Sequence, residues 1–493
     1  MTPVLPPGPL STYRRMRELA GVEPDRTAVS ARGADGGWSS LTRAELVALA
    51  EAQAARLLAE PPGPYTVVAL PNGIGFFVAV LASWWAGRTP LVVPPESTAP
   101  ELVRLFSSVG RPREEIFAFD GSELVAPVRD ASAPTTAGRT AATVAVGAAE
   151  PAVAWYLPSG GSTSLPRLVP VPGRPADQLS GQSTLLGAVG WRPDADHLVL
   201  GPLSHAAPFT CALTGLVHGN HVVLVDRFAP GAVRDAVRRV PPTWCQLTPH
   251  QMAVIGADPA FLRSFGARLA GLLHTAAPCP AAVKRLWMDS IGADRVYELY
   301  ASTQMVGAVV SRGTDWLQRP GTVGRPYMTQ VRILDEKGLV LPPGQVGEVY
   351  LRTAGTRRLS AAQTGHLRGR PGGYFSVGDL GYLDEDGFLF LVDRVDDVII
   401  VGGANVSARE VEQTLVAHPA VGEALVVGRP DRLLGQRVHA LVVPADAESV
   451  PDTTDLRAHC AGLLAPHKVP TSIEVIAEFE RSHAGKIQRF RYR

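Results

Sequence analysis

Three short stretches of this sequence hold residue types that could do chemistry. In WYLPSGGSTSLPRLVP, Ser159, Gly160, Gly161, Ser162 and Thr163 follow a run that reads as a strand. Glycines let backbone N–H groups converge on an anion and the hydroxyls add donors, so this turn can cradle a phosphate. It is not the GxxxxGK[ST] loop, because both the spacing and the Lys-Ser/Thr pair are missing. Read alone, such a stretch is more often a plain turn. GGYFSVGDLGYLDEDGFLFLVDR holds Asp379, whose carboxylate can accept two hydroxyl protons; an aspartate after glycine is also a common turn cap. RSHAGKIQR carries Lys486, which in isolation reads as a solvated ammonium.

The bulk properties narrow the class of protein. At 493 residues the chain is too long for one compact core, and two or three domains are expected. Hydrophobic residues at 46% and charged residues at 19% exclude bulk disorder. A formal charge of +1, with no long basic run, argues against a nucleic-acid partner. Cys211, Cys245, Cys279 and Cys460 are scattered, so neither a zinc site nor a disulfide framework is expected, and a reducing cytosol fits. MTPVLPPGPLSTYRRMRELA lacks an apolar signal core, and the longest apolar stretch, Phe76 to Ala86, is too short to span a bilayer. The expectation is a soluble cytoplasmic protein with no membrane span.

The elements that position these motifs alternate strand and helix. YTVVAL, PLVVPP, VAWYL, HLVLGP, HVVLVD, TWCQLTP and LLHTAA read as strands. GIGFFVAVLASWWAG, Thr210 to Val217 and APGAVRDAVRR read as helices among them. Such alternation predicts an α/β fold of doubly wound parallel sheets covered on both faces. From Thr322 the pattern changes to strands joined by Gly- and Asp-containing turns, as in an antiparallel meander or small β-barrel subdomain. After Arg394 the chain reads as a separate small α+β unit, giving domains at 1–394 and 395–493. The Ala/Thr-rich segment from Val128 reads as a surface excursion, and Arg489, Arg491 and Arg493 as a solvated tail.

In motif order, spacing and length the chain resembles the adenylate-forming superfamily, and within it the acyl-CoA ligases. The Ser159 loop is similar to the superfamily's S-G-[GS]-[ST]-T-G-x-P-K phosphate loop, which implies that Ser159 to Thr163 and Arg167 hold ATP phosphates. RVYELYASTQM resembles the Y-G-x-T-E core. That implies Tyr300 against adenine, Thr303 on the α-phosphate, and Ala276 and Ala277 in the turn passing the purine. The same resemblance implies Asp379 on the ribose hydroxyls, Arg394 on ribose and phosphate, and a mobile C-terminal domain hinged at Asp396. Gly402 and Gly403 would shape the CoA tunnel, and Lys486 would neutralise charge at the carboxylate and α-phosphate. His205 would gate the acyl and CoA tunnels, though a satisfied core histidine explains it as well. Phe209, Trp244, Ala301 and Met305 are candidates for the acyl pocket. PLSHAAPF…TPHQM…AAPCP resembles the branch of bile-acid and other bulky-acid CoA ligases. Composition adds a likeness to natural-product ligases for diterpenoid acids, as in platensimycin biosynthesis.

The departures from the pattern are not scattered. Ser164 replaces glycine, Arg167 replaces lysine, and Gln304 replaces the glutamate that holds Mg2+. Magnesium prefers carboxylate oxygens, and an amide brings no charge. All three fall where ATP's β- and γ-phosphates are handled, so no metal ligand is intact and Mg2+ is in question. The expectation is a ligase impaired in adenylation. It would receive acyl-AMP, rather than ATP and free acid, from a separate adenylating enzyme and pass the acyl group to CoA. The alternatives are an ordinary two-step ATP-dependent synthetase, an inert adenylate-binding paralogue, and acyl transfer to a carrier-protein arm or an amine.

Overall fold

The structure is a computed structural model that describes residues 11–59, 63–107, 109, 116–118, 146–147, 149–159, 167–356, 367–446, 449–481 and 487–492. Six strands run parallel in the order Thr27–Arg32, His221–Val225, Asp196–Val199, Trp244–Leu247, Gly271–His274 and Val296–Ala301. Their residues are nearly all buried, as strands covered on both faces must be. A second sheet orders Ile116–Ala118, Tyr65–Val68, Thr89–Val92, Val153–Pro158 and Leu168–Pro172, antiparallel only at its last pair. Helix Ile74–Trp85 is buried from Phe76 to Trp85. That explains why its sequence shows no polar face.

After the last parallel strand the pairing turns antiparallel at Ala308–Arg312, earlier than the change of texture at Thr322 indicates. Through Thr322–Tyr327 the sheet runs on into Leu389–Arg394, Asp379–Leu383 and Gly347–Arg352. After Arg394 a further sheet forms from Ala404–Ser407, Val398–Val401, Gly435–Pro444 and Val421–Asp431, with Ser472–Val475 parallel to Gly435–Pro444. Its own core includes Val406, Val411, Leu415, Ala440 and Leu456. The Ala/Thr-rich segment from Val128 lies almost wholly outside the described residues. Among the described residues, no helix is long and apolar enough to cross a membrane.

Two readings of the sequence need correcting. The helix expected from Thr210 starts at Ala206, because His205 takes the extended cap position with φ −108° and ψ 149°. Arg489 is no solvated tail. Its guanidinium pairs with Glu412 at 2.6 Å and Asp397 at 3.5 Å, and donates to the Val426 carbonyl at 2.5 Å.

Beneath the strand Val296–Ala301 lies another buried pair. Lys284 Nζ is 2.5 Å from Glu298 Oε2, with side chains 3% and 11% exposed, and the Trp316 ring lies 5.0 Å from the ammonium. Removing one partner leaves an uncompensated buried charge, which costs about 3–5 kcal/mol, whereas replacing both by apolar groups is often neutral. Glu298→Gln is therefore expected to lower the thermal unfolding midpoint sharply. The double change Lys284→Met with Glu298→Leu should restore most of the loss in the same circular-dichroism melt.

Candidate active site

A cavity of about 850 Å³ opens where the parallel strands end and the C-terminal unit meets them. Ligand sites in open α/β sheets lie at these carboxyl ends, since the loops there diverge. One wall comes from the turns that follow Gly271–His274 and Val296–Ala301, and it presents Ala276, Ala301, Ser302, Thr303 and Met305. Ala276 has φ 83° and Met305 φ 53°, left-handed values that strain any residue with a Cβ. Such strain costs on the order of 1–3 kcal/mol and gathers at functional sites. The Ser302 hydroxyl is buried without a hydrogen-bond partner, which leaves a donor and acceptor for a ligand. His205, at the N-terminal cap of helix Ala206–Val217, lines the opposite side.

Next to this wall three side chains form a chain across two sheets. Asp379 and Arg394 are register partners in adjacent antiparallel strands. Arg394 Nε lies 3.4 Å from Asp379 Oδ1, and the Tyr300 hydroxyl donates to Asp379 Oδ2 at 2.6 Å. Arg394 also donates to the Val377 carbonyl at 2.7 Å. Burial pushes the Asp379 carboxyl above its usual range, against the opposing pull of Arg394 and of the Tyr300 hydrogen bond. Burial, and then the Asp379 charge, hold the Tyr300 phenol well above its usual value, so Tyr300 stays a donor. A carboxylate so placed can accept hydroxyl protons, which fits a ribose diol.

Other candidates sit less directly. Gly160, Gly161, Ser162, Thr163, Ser164 and Lys486 lie outside the described residues. The neck of the phosphate-type loop is described: the Ser159 N–H donates to the Arg167 carbonyl at 2.7 Å, and the Arg167 N–H donates to Ser159 Oγ at 3.1 Å. Gln304 sits in the turn between Thr303 and Met305. Among the described residues no group of three or more His, Cys, Asp or Glu side chains could hold a metal. The amide at 304 brings no charge to a hard divalent cation. Ala277 is exposed and not part of the cavity wall.

Four expectations change. Phe209 and Trp244 do not line the cavity. Phe209 is buried against Trp155 at 5.2 Å and Phe76 at 6.1 Å, and Trp244 donates to the Val189 carbonyl at 2.9 Å within the core. Gly402 and Gly403, with φ 58° and 86°, turn the hairpin between Val398–Val401 and Ala404–Ser407 and are not among the cavity-lining residues, and the Gly402 N–H donates to the Leu434 carbonyl at 2.8 Å. That unit instead presents Arg481, which is ion-paired to Glu423. Asp396, in the turn Val395–Asp397, pairs with Arg368 at 3.3 Å. Sequence reading passed over Arg481 and the buried polar side chains Gln182 and Gln246. The signal for Gln246 was present, a lone amide in the apolar strand TWCQLTP.

Comparison with known proteins agrees with this geometry. Residues 16–358 match the AMP-binding enzyme family, and residues 410–486 match the AMP-binding enzyme C-terminal domain. The chain is 29% identical to an oxalate–CoA ligase of Arabidopsis thaliana over 96% of each protein. It is 34% identical to a sulfoacetate–CoA ligase of Cupriavidus necator, over 57% of this chain and only 55% of that protein. An amide bond synthetase from Marinactinospora thermotolerans superposes with a TM-score of 0.78 at 26% identity, covering 98% of this chain and 99% of that one. The match of the large domain covers well over half of the sequence, and the smaller domain follows it in order. The chain belongs to the AMP-binding enzyme family, with an α/β fold of a large N-terminal domain and a smaller C-terminal one.

Proposed function

We propose that this protein is an acid–thiol ligase that binds a bulky hydrophobic carboxylic acid as its acyl-adenylate and transfers the acyl group to CoA. The observation that carries this reading is the cavity of about 850 Å³. Its wall includes Ser302 and Thr303, and Tyr300, just before them in the chain, is hydrogen-bonded to the carboxylate of Asp379, so an acyl chain and a nucleotide could meet there. In the transfer, the CoA sulfur forms a bond to the acyl carbon, the bond from that carbon to the phosphate oxygen breaks, AMP leaves, and the thiol proton passes to solvent. Asp379 and Arg394 would hold the ribose and phosphate, Thr303 and the Ser302 hydroxyl the phosphate. Tyr300 would support the site through Asp379, and residues 395–493 would turn about Asp396 between the two half-reactions. Relatives named as CoA ligases support the thiol acceptor.

In this reading the adenylation half-reaction is weak, because Gln304 stands where a carboxylate would meet magnesium. Wild-type protein is expected to give little ATP–pyrophosphate exchange with acids whose synthetic acyl-adenylates it converts to thioesters. Gln304→Glu should raise exchange by on the order of tenfold or more. Robust wild-type exchange would leave an ordinary two-step synthetase. A second reading has one specific support, the likeness to an amide bond synthetase over nearly both whole chains. Offering the same acyl-adenylate to CoA and to primary amines decides between them, with faster capture by CoA expected.

Acidity tests the nucleotide site. Because burial raises the Asp379 pKa, its ionised form is lost on acidification at a higher pH than for an ordinary aspartate. AMP affinity should therefore fall as the pH drops through that raised value. The hydrogen bond from Tyr300 opposes the rise, so Tyr300→Phe should move the midpoint further up, while Asp379→Asn should abolish the dependence along with most binding. Calorimetric titration with AMP across the acid range reads all three. A midpoint unmoved by Tyr300→Phe would break the proposed link.

A further inference from the structure

The floor of the cavity carries a polar side chain that neither nucleotide binding nor acyl transfer uses. Gln246 lies in the strand Trp244–Leu247, between Val199 and Leu273 of the neighbouring parallel strands, and is 5% exposed. Strand alternation puts Trp244 and Gln246 on one face and Cys245 and Leu247 on the other. Cys245 and Leu247 fill a core with Met252 and Trp287. Trp244 packs with Leu186, Cys211 and Leu273, so Gln246 faces the side covered by helices Pro175–Ala188 and Ala206–Val217. It lines the cavity there.

No described residue makes a hydrogen bond to the Gln246 side chain, whereas two other amides on the cavity wall are engaged at both ends. Gln251, 6% exposed on the same wall, donates to the Leu200 carbonyl at 3.2 Å and accepts from the Thr248 N–H at 2.8 Å. Asn72, also on the cavity wall, donates to the carbonyls of Gly201 at 3.0 Å and Val225 at 3.2 Å, and accepts from the Leu203 N–H at 2.8 Å. The Gln246 amide is open to the cavity and is not satisfied by the protein, so its partner must come from what occupies the cavity.

We propose that Gln246 is a specificity-determining residue whose amide hydrogen-bonds an oxygen function, hydroxyl or keto, on the acyl portion of the acid, remote from its carboxylate. The inference rests on the ligase reading, in which the carboxylate lies at Ser302 and Thr303. Register gives the spacing. Gln246 is opposite Leu273, and Leu273 is opposite Tyr297, four residues before Ala301. Two strand spacings across and four residues along place Gln246 on the order of 15 Å from Ala301. The acid this site selects is long or polycyclic, apolar along most of its length, and oxygenated near its far end. An amide both donates and accepts, so hydroxyl and keto forms satisfy it alike.

Matched pairs of acids test this: 10-hydroxydecanoic against decanoic acid, 4-hydroxycinnamic against cinnamic acid, and a 3-hydroxylated steroid acid against its deoxy form. Each is supplied as a synthetic acyl-adenylate for CoA transfer, and as the non-hydrolysable acyl-sulfamoyl adenosine for direct binding. For the pair that fits the cavity best, wild-type kcat/KM is expected to favour the oxygenated member by roughly tenfold or more, since a site built to bond a hydroxyl rejects an analogue without one. Gln246→Leu should cancel or reverse the preference and improve the deoxy member. Its unfolding midpoint should match or exceed wild type, which separates the effect from misfolding, and Gln246→Met serves as the second variant.

Thioester formation with no discrimination in any pair, or an equal loss for both members in the variants, overturns the role of Gln246 and leaves the ligase reading standing. Discrimination in binding without any thioester sinks the ligase reading and keeps this one. Failure of every analogue to bind overturns both.

Discussion

Asp379 is fixed between two donors that come from different parts of the fold, Tyr300 from the last parallel strand and Arg394 from the neighbouring antiparallel strand. Buried carboxylates resist ionisation, so this one stays useful as an anion only while both donors are in place. The positions of both depend on long-range pairing. Tyr300 is set by the register of Val296–Ala301 against Gly271–His274 and Ala308–Arg312, and Arg394 by its strand partner. Arg394 is also the last residue before the turn Val395–Asp397 that leads into the C-terminal unit. One carboxylate thus ties together the parallel sheet, the antiparallel subdomain and the start of the C-terminal unit.

Titratable groups in the core beside the cavity are held uncharged. Burial drives His197 down to about 3, and His274 is pushed well down by burial and by the Lys284 charge, so both rings sit neutral in the core. Burial raises the Cys211 thiol to about 12, which removes it as a nucleophile although it lines the cavity. With that thiol held protonated, bond-making is left to the substrates themselves. Against that background a single unpaired amide such as Gln246 can carry a large share of selectivity.

Much of this was legible in the sequence because local pattern and tertiary role coincide. The buried parallel strands are short apolar runs, the turn after each is rich in small residues, and Asp379 and Arg394 sit at the two ends of a stretch whose glycines mark its turns. Side-chain direction was not legible. Helix Ala206–Val217 is buried from Pro208 to Val217, so no hydrophobic face distinguishes core from cavity, and Phe209 turned to the aromatic core while Thr210 and Cys211 met the cavity. In Trp244–Leu247 the alternation was readable but not which face held the cavity. Arg489 was misjudged because its partners, Asp397 and Glu412, lie far back in the chain. The orientation of Gly402 and Gly403 depends on how the C-terminal unit docks, which no local pattern encodes.

The distribution of ion pairs bears on the proposed rotation about Asp396. Inside the C-terminal unit, Arg489 with Asp397 and Glu412, Lys468 with Glu410, and Arg481 with Glu423 all link residues beyond the hinge, so they travel together as one body. Contacts that cross to the large domain are of two kinds. Arg368 with Asp396 is half-exposed, and such a pair is worth about 0–1 kcal/mol, little hindrance to turning. Arg409 is half-buried, and donates to the Leu391 carbonyl at 3.0 Å while its N–H reaches Asp393 at 3.4 Å. Both acceptors immediately precede the turn. In the proposed rotation, displacement grows with distance from the axis, so a contact this close to Asp396 can persist while contacts farther from it break and re-form.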